Sequence, residues 1–197
     1  MSMPTPLQAI LDENNGVLTT ANANAAGFSN ERLRLLVESN ALERVAHGVY
    51  IAPTDLEDKM FIAQLRRSKM IYSHETALFL HDLTDRDPVQ YTVTVPTGYN
   101  TATIVADGIM PFKVKRELHQ LGATQMETMF GHKVTTYNLE RTICDCLRSR
   151  KKMDIAVVMD AIRRYAKRRD KDLNTLMAMA EQFRVTKPLR SYMEVLL

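Results

Sequence analysis

The apolar residues of the N-terminal part recur at helical spacing and predict three short helices. The first ends at Asn14-Asn15-Gly16, and its apolar face consists of Leu7, Ile10 and Leu11. The second begins at Thr19 or Thr20 and stops at Gly27, because glycine can adopt the left-handed conformation that a tight turn requires. The third begins after Ser29, a favourable N-cap, and its apolar stripe consists of Leu33, Leu36 and Val37.

A β-hairpin is predicted directly after the third helix, over residues 42–51. Gly48 permits a tight turn, and the residues suited to strands are Val45, Val49 and Ile51. Two helices joined at a glycine and followed by a hairpin have the form of a winged helix–turn–helix, which is typical of DNA-binding proteins. We therefore predict that residues 1–53 are a DNA-binding domain. Winged helices also serve as protein-interaction modules, and that alternative stays open.

The third helix and the hairpin supply the candidate DNA contacts. The first turn of such a helix usually reaches base edges in the major groove, and here it carries Ser29, Asn30 and Arg32. A second set is expected to contact the phosphate backbone or the groove walls, and it consists of Arg34, Arg44 and His47.

Residues 54–197 show both helical and strand periodicity and predict a C-terminal domain with a small sheet and several helices. Alternating β-branched and polar residues indicate strands at residues 89–95, 103–106, 110–115 and 133–137. Helices are predicted over residues 56–69, from a cap at Ser73 to residue 81, from Pro188 onward, and after the caps Asn138, Asp154 and Asp172. The predicted fold class is α/β (mixed), with an N-terminal winged helix–turn–helix and a C-terminal mixed α/β domain.

The positive charge is concentrated far from the predicted DNA-binding domain. Residues 1–53 hold three Lys or Arg against five Asp or Glu, a net charge of −2, whereas residues 141–171 hold eleven against four, a net of +7. The basic segment is either a solvated face, a surface that contacts DNA phosphates, or a site for an acidic protein partner. The candidate phosphate contacts in it are Arg148, Arg150, Lys151 and Lys152. A smaller patch of the same kind contains Lys59, Arg66 and Arg67.

The composition indicates an ordinary globular protein. Hydrophobic residues make up 45% of the chain and charged residues 25%, and no apolar run is long enough to cross a membrane. The N-terminus has no charged-then-apolar signal segment, so we expect a cytoplasmic protein with no membrane contact. Cys144 and Cys146 are two residues apart on a predicted helix and point in different directions, which favours packed thiols over a disulfide or a metal pair.

The chain has no recognisable catalytic motif. Its histidines form neither a zinc-peptidase pair nor a Cys/His zinc grouping, and no glycine-rich phosphate loop follows a strand. Glu140 and Asp145 are five residues apart on one predicted helix, so structural roles are favoured for both. We therefore predict no enzyme, no cofactor and no metal site. An enzyme whose site is assembled from residues distant in sequence is the remaining alternative.

Three segments in order resemble the AbiEi antitoxin family. Residues 73–78, which read Ser-His-Glu-Thr-Ala-Leu, and residues 81–83, His-Asp-Leu, resemble its "SH-x-SAL…HGL" segment. Residues 140–145, Glu-Arg-Thr-Ile-Cys-Asp, resemble its "ERT-x-x-D" segment, and the hairpin residues 44–50 complete the set. Asp82 departs from the glycine that the family often has there, and Thr76 replaces a common serine.

The resemblance implies a bacterial antitoxin of a type IV toxin–antitoxin system, which provides abortive-infection defence against phages. Such an antitoxin binds inverted repeats in its own promoter, represses the operon, and counters a nucleotidyltransferase-like toxin without a stable complex. The resemblance associates the C-terminal domain with antitoxicity. The alternative function is a protein-interaction module whose basic C-terminal domain binds an acidic partner, such as the toxin itself.

Overall fold

The computed structural model describes the backbone of residues 3–196 and the side chains of residues 3–194. Its Cα positions fall into two compact units. Unit 1 comprises Met1–Arg66 and Glu127–Lys133, and unit 2 comprises Arg67–Met126 and Val134–Leu197. The boundary that we expect after residue 53 therefore lies inside unit 1.

Unit 1 begins with three short helices and a three-stranded sheet, which is consistent with the predicted winged helix–turn–helix. Its helices are α1 (Thr5–Glu13), α2 (Thr20–Ala25) and α3 (Asn30–Glu38), and its strands are β1 (Val17–Thr19), β2 (Glu43–Ala46) and β3 (Val49–Ile51). The strands form an antiparallel sheet in the order β1-β3-β2. Strand β1 is absent from the sequence prediction, because three residues are too few to show a period of two. We call the hairpin β2–β3, residues 43–51, the wing.

Capping and packing explain why these short helices form. The hydroxyls of Thr19 and Ser29 accept hydrogen bonds from the backbone N–H groups of Asn22 and Arg32, which starts α2 and α3 as predicted. Helix α1 begins at Thr5 with Pro4 as its N-cap, and no side chain caps its first turn. The helices then pack on one core, which includes Leu7, Leu11, Leu18, Leu33 and Leu36.

A buried carboxylate links the segment Glu127–Lys133 to the rest of unit 1. Asp58 is the N-cap of α4 (Lys59–Leu65) and is 2% exposed. Its Oδ2 accepts hydrogen bonds from the Thr128 hydroxyl at 2.6 Å and from Nδ1 of His132 at 2.8 Å. The His132 ring also stacks on Phe61, with ring centroids 4.2 Å apart. No local sequence pattern indicates this contact, since His132 lies 74 residues from Asp58.

Replacing His132 by alanine is expected to lower the free energy of unfolding by about 1.5–3 kcal/mol, because a hydrogen bond to a buried charged carboxylate is lost. Urea denaturation followed by circular dichroism measures the change. His47→Ala is the matched control: it removes an exposed histidine of the same unit and should leave stability unchanged. Equal stability of the two variants would show that the Asp58–His132 pair contributes nothing.

The remaining elements combine a second sheet with helices. Its strands are β4 (Ile71–Tyr72), β5 (Thr92–Pro96), β6 (Met110–Val114), β7 (Ala123–Glu127) and β8 (Lys133–Tyr137), in the order β6-β5-β4-β8-β7. The helices are α5 (His74–Leu80), α6 (Ala102–Ala106), α7 (Arg116–His119), α8 (Leu139–Ser149), α9 (Ile155–Lys167), α10 (Leu173–Gln182) and α11 (Thr186–Leu196). Strands β4 and β8 are parallel, as are β5 and β6, while β4 and β5 are antiparallel. The fold class is mixed α/β, as predicted.

Several predicted elements differ in the structure. Residues 103–106, predicted as a strand, lie in helix α6, where only Ile104 is buried and the Asn100 side chain accepts a hydrogen bond from the N–H of Ala102. The strand predicted from residue 89 begins at Thr92, because Val89 is fully exposed and pairs with no strand. The helix predicted over residues 56–69 is limited to α4. Strand β4 and helix α7 escaped prediction because they have only two and four residues. Strand β7 escaped prediction because its sequence, Ala-Thr-Gln-Met-Glu, has one β-branched residue and no aromatic residue.

Candidate nucleic-acid interface

The first turn of α3 presents two of the three predicted base-reading side chains to solvent in a defined position. The hydroxyl of Ser29 caps the helix by accepting a hydrogen bond from the N–H of Arg32 at 3.3 Å. Asn30 and Arg32 are exposed, and the guanidinium of Arg32 lies 5.0 Å from the centroid of the Phe28 ring. This cation–π contact restrains the Arg32 side chain beside the turn at Gly27. Ser29 thus positions the turn, and Asn30 and Arg32 are available to a ligand.

Helix α3 and the wing form the walls of a groove with a volume of about 560 Å³. We call it the α3–wing groove. Four predicted DNA contacts line it, two from the helix and two from the wing, namely Asn30, Arg34, Arg44 and His47. The structure therefore brings these four side chains together, although Arg44 lies fourteen positions after Asn30 in the chain.

The two wing side chains contact each other. Nη2 of Arg44 lies 3.0 Å from Nδ1 of His47, and Nε of Arg44 donates to the carbonyl oxygen of Ala46 at 3.3 Å. A guanidinium only donates hydrogen bonds, so Nδ1 of His47 is the acceptor. A neutral imidazole in this arrangement has its proton on Nε2, which is a donor for a phosphate oxygen. The pair can supply several donors from one place on the wing.

Arg34 is already engaged by two carboxylates of its own helix. It donates to Glu31 at 2.6 Å and forms an ion pair with Glu38, and all three side chains are exposed. The hydrogen bond and charge of Arg34 lower the pKa of the Glu31 carboxyl. Exposed pairs of this kind are weak, so a phosphate can compete for Arg34. The three groups together nevertheless have a net charge of −1, which opposes a polyanion.

Unit 1 as a whole is acidic. It contains six Lys or Arg and nine Asp or Glu, hence a net charge of −3. Of the smaller predicted patch, Lys59 and Arg66 are exposed, and Arg66 shares a concave surface with His47 beside the wing.

Arg67 does not belong to that exposed patch, which corrects its expected role as a phosphate contact. Its side chain is 4% exposed, donates to the carbonyl oxygen of Thr103 at 3.0 Å and forms an ion pair with Asp107. Arg67 follows the last residue of α4 by two positions, and its side chain contacts α6 near both of its ends. Its charge is therefore used in holding α6.

The basic segment 141–171 is less available than its net charge suggests. Arg141 is fully buried against Asp145, Arg164 pairs with Asp85 and Asp160, and Arg168 pairs with Asp170. Charge counting along a sequence cannot distinguish such pairs from free cations. The four predicted phosphate contacts, Arg148, Arg150, Lys151 and Lys152, line a cavity of unit 2.

Two features of that cavity were missed in the sequence. Lys113 of β6 lines it as well, and Ser149 in its wall is hydrogen bonded to the buried His74. In the predicted strand at residues 110–115, Lys113 is a polar residue between the apolar residues Phe112 and Val114. This alternation indicates that Lys113 points outward, but it does not indicate a cavity. Ser149 and His74 are 75 residues apart, so no spacing rule connects them.

Cys144 and Cys146 are buried free thiols, as predicted, and burial raises the pKa of the Cys144 thiol to about 12. Among the described residues, no group of three or more His, Cys, Asp or Glu could hold a metal ion. No helix within the described part of the chain is long and apolar enough to span a membrane.

Comparison with known proteins gives a family match for the N-terminal residues and a structure of similar fold. Residues 6–53, from α1 through the wing, match a family model described as "Transcriptional regulator, AbiEi antitoxin". The crystal structure of the RV2827C protein from Mycobacterium tuberculosis is similar with a TM-score of 0.62 at 11% identity, over 96% of this chain and 78% of that one. This likeness concerns the fold alone. A search of curated proteins found no match.

The family match confirms the resemblance seen in the hairpin. The other two segments of the resemblance, at residues 73–83 and 140–145, lie outside the matched range. Residues 6–53 of this chain are therefore similar to the AbiEi antitoxin family of transcriptional regulators.

Proposed function

We propose that this protein is an antitoxin and an autorepressor that binds inverted repeats in the promoter of its own operon. The observation that carries the proposal is the α3–wing groove, which gathers Asn30, Arg34, Arg44 and His47 beside the exposed Arg32. In this arrangement the first turn of α3 enters the major groove. Asn30 and Arg32 then read base edges, while Arg44 and His47 contact phosphates or the minor groove.

The acidic character of unit 1 shapes how such binding works. A net charge of −3 gives little general attraction to DNA, so most of the affinity for the operator has to come from contacts with its bases. Discrimination between the operator and other DNA should therefore be high, and the dependence of unit 1 binding on salt should be shallow.

A gel-shift experiment with a labelled fragment of the promoter tests the proposal. The competitors are an unlabelled fragment of equal length from elsewhere and the same promoter with its inverted repeat scrambled. We expect specific retention that only the intact repeat competes away. Equal binding of all three fragments would leave the chain without operator recognition and would reject the proposal.

The double variant Glu31→Gln, Glu38→Gln is expected to bind DNA about three- to tenfold more tightly, because it removes two exposed negative charges and releases Arg34 to a phosphate. Fluorescence anisotropy with the promoter fragment measures the gain. Asp12→Asn with Glu13→Gln removes the same charge from α1, outside the α3–wing groove, and should change affinity by less than about twofold. An equal gain in DNA affinity from both double variants would mean that Arg34 does not contact a phosphate in the complex.

We further propose that the antitoxin acts in the cytoplasm against a nucleotidyltransferase-like toxin, in a type IV system that defends against phages. The support is the family match together with the resemblance of residues 73–83 and 140–145. Expression of the toxin from the neighbouring gene should stop bacterial growth, and co-expression of this chain should restore it. A pull-down with this chain as bait should recover no stable complex with the toxin. A stable complex that depends on the cavity residues Arg148, Arg150, Lys151 and Lys152 would instead favour the protein-interaction alternative.

A further inference from the structure

The basic residues at the end of α8 line a cavity and do not form a flat face. The cavity has a volume of about 600 Å³, within the range of small-molecule sites. Five cations surround it, namely Lys113, Arg148, Arg150, Lys151 and Lys152, and none of its described lining residues is Asp or Glu. Part of the wall is apolar and includes Pro111 and Phe112. We call it the cationic cavity.

The cations do not have a common structural explanation. Basic side chains often follow a helix C-terminus, where they complement the helix dipole, and Arg150 does donate to the carbonyl oxygen of Leu147 at 2.8 Å. Lys113, however, comes from strand β6 and has no such helix end to serve. Arg148 retains partial exposure of 28% although its guanidinium lies 3.4 Å from the buried Asp145. Cations from two separate elements thus converge on one space.

A chain of buried hydrogen bonds ends at this cavity. The hydroxyl of Thr94 donates to Oγ of Ser73 at 2.9 Å, and that oxygen lies 2.9 Å from Nδ1 of His74. Nε2 of His74 lies 2.9 Å from Oγ of Ser149, which lines the cavity. A hydroxyl that accepts from Thr94 can still donate, so with the Ser73 proton directed to Nδ1, the neutral His74 donates from Nε2 to Ser149.

This order leaves the Ser149 proton free to donate into the cavity. It requires a neutral His74, and burial, with the nearby charges of Arg148 and Arg141, lowers the pKa of His74 well below its usual value. The His74 ring is held by stacking on Phe112, with centroids 3.5 Å apart, and its backbone has a φ of +51°, which a non-glycine residue adopts at a cost. A strained, fully buried residue thus supports one hydroxyl at the cavity wall.

We propose that the cationic cavity binds a phosphorylated small molecule of nucleotide size. The cations neutralise its phosphates, the Ser149 hydroxyl donates to a phosphate oxygen, and the apolar wall at Pro111 and Phe112 receives the base. A concave site with a buried aromatic wall suits such a ligand better than the backbone of a DNA duplex, which needs cations on an open surface. This function is separate from operator recognition by unit 1.

Isothermal titration calorimetry of the full chain with ADP, adenosine and inorganic pyrophosphate tests the proposal. ADP should bind, and both of the other probes should bind at least about tenfold more weakly, because each lacks half of the recognised chemistry. Lys113→Glu and Lys151→Glu should each weaken ADP binding about tenfold or more, and both positions are exposed, so folding should be preserved. Lys187→Glu makes the same charge change outside the cavity and should have no effect.

Substitutions of Ser149 test the contribution of its hydroxyl to ADP binding independently of the cations. Ser149→Ala should weaken ADP binding roughly three- to tenfold, and Ser149→Thr, which retains the hydroxyl, should restore most of it. The proposal is overturned if ADP fails to bind at about millimolar concentration, if pyrophosphate or adenosine binds as tightly as ADP, or if Lys187→Glu weakens binding as much as Lys113→Glu. It is overturned too if the Lys113 and Lys151 variants lose promoter affinity in the same proportion, since the surface would then belong to DNA.

Discussion

Replacing Arg141 by methionine is expected to lower the free energy of unfolding by about 3–5 kcal/mol, the range seen when one partner of a buried ion pair is removed. Arg141 and Asp145 are both fully buried, one helical turn apart on α8, and Nε of Arg141 donates to Asp145 at 2.9 Å. The variant leaves the Asp145 carboxylate in the core without its main partner. Desolvation of that carboxylate is the dominant part of the expected loss.

The guanidinium of Arg141 also organises its surroundings. It lies between the rings of Tyr137 and Phe183, at 4.0 and 3.9 Å from their centroids. Its Nη1 donates to the carbonyl oxygens of Leu118 and Leu121, at 2.8 and 2.7 Å. These bonds satisfy the backbone at the end of α7, which methionine cannot do. The chain segment after α7 should therefore loosen in the variant as well.

The loss should depend on pH in a defined direction. Burial raises the pKa of the Asp145 carboxyl, and the charge of Arg141 opposes that rise. Without Arg141 the pKa of Asp145 in the folded state rises further above its unfolded value, so protonation favours the folded state. The destabilisation should thus shrink as the pH is lowered from 8 toward 5 and grow as the pH rises through the folded-state pKa.

Urea denaturation at several pH values, followed by circular dichroism, measures both effects. The matched variant is Arg141→Met with Asp145→Asn, which removes the uncompensated charge; it should recover more than half of the lost stability and show little change with pH. A single variant that costs under about 1 kcal/mol, or a cost independent of pH, would contradict the account of Arg141 as the partner of a buried carboxylate.

The sequence predicted helix starts well because capping is local chemistry. The side chains of Asn138, Asp154 and Asp172 all accept hydrogen bonds from the first turn of the helices they were expected to cap. Ser73 is the exception, since it makes no capping bond to α5. Its hydroxyl is engaged by Thr94 and His74 instead, and both are contacts that depend on the tertiary fold.

The motif residues of unit 2 have structural partners that a sequence does not reveal. Nε2 of His81 lies 2.6 Å from the carbonyl oxygen of Tyr137, and Glu140 accepts hydrogen bonds from the hydroxyl of Tyr165 and from the N–H of Asp172. Glu140 and Asp145 thus have the structural roles that were favoured for them. The depth of a charged side chain, however, depends on neighbours far away in sequence, which is why Arg141 and Arg67 were counted as surface cations.

The largest effect on DNA binding is expected at the first turn of α3, where sequence and structure agree on exposed polar side chains. Asn30→Ala and Arg32→Ala should each weaken operator binding about ten- to a hundredfold, because each good contact with a base edge contributes about 1–3 kcal/mol of discrimination. Neither substitution disturbs the core, since both side chains are exposed and the cap comes from Ser29.

The double variant separates base reading from general attraction to DNA. Asn30→Ala with Arg32→Ala should bind the operator no better than the scrambled repeat, while its affinity for the scrambled repeat should stay nearly unchanged. Arg44→Ala should act differently: as a phosphate contact, it should weaken binding to both sequences and reduce the slope of log affinity against log salt by about one. Gln8→Ala, an exposed position on α1, is the control for both. If the double variant lost affinity for operator and scrambled repeat by the same factor, α3 would be a backbone contact, and the operator would have to be read elsewhere.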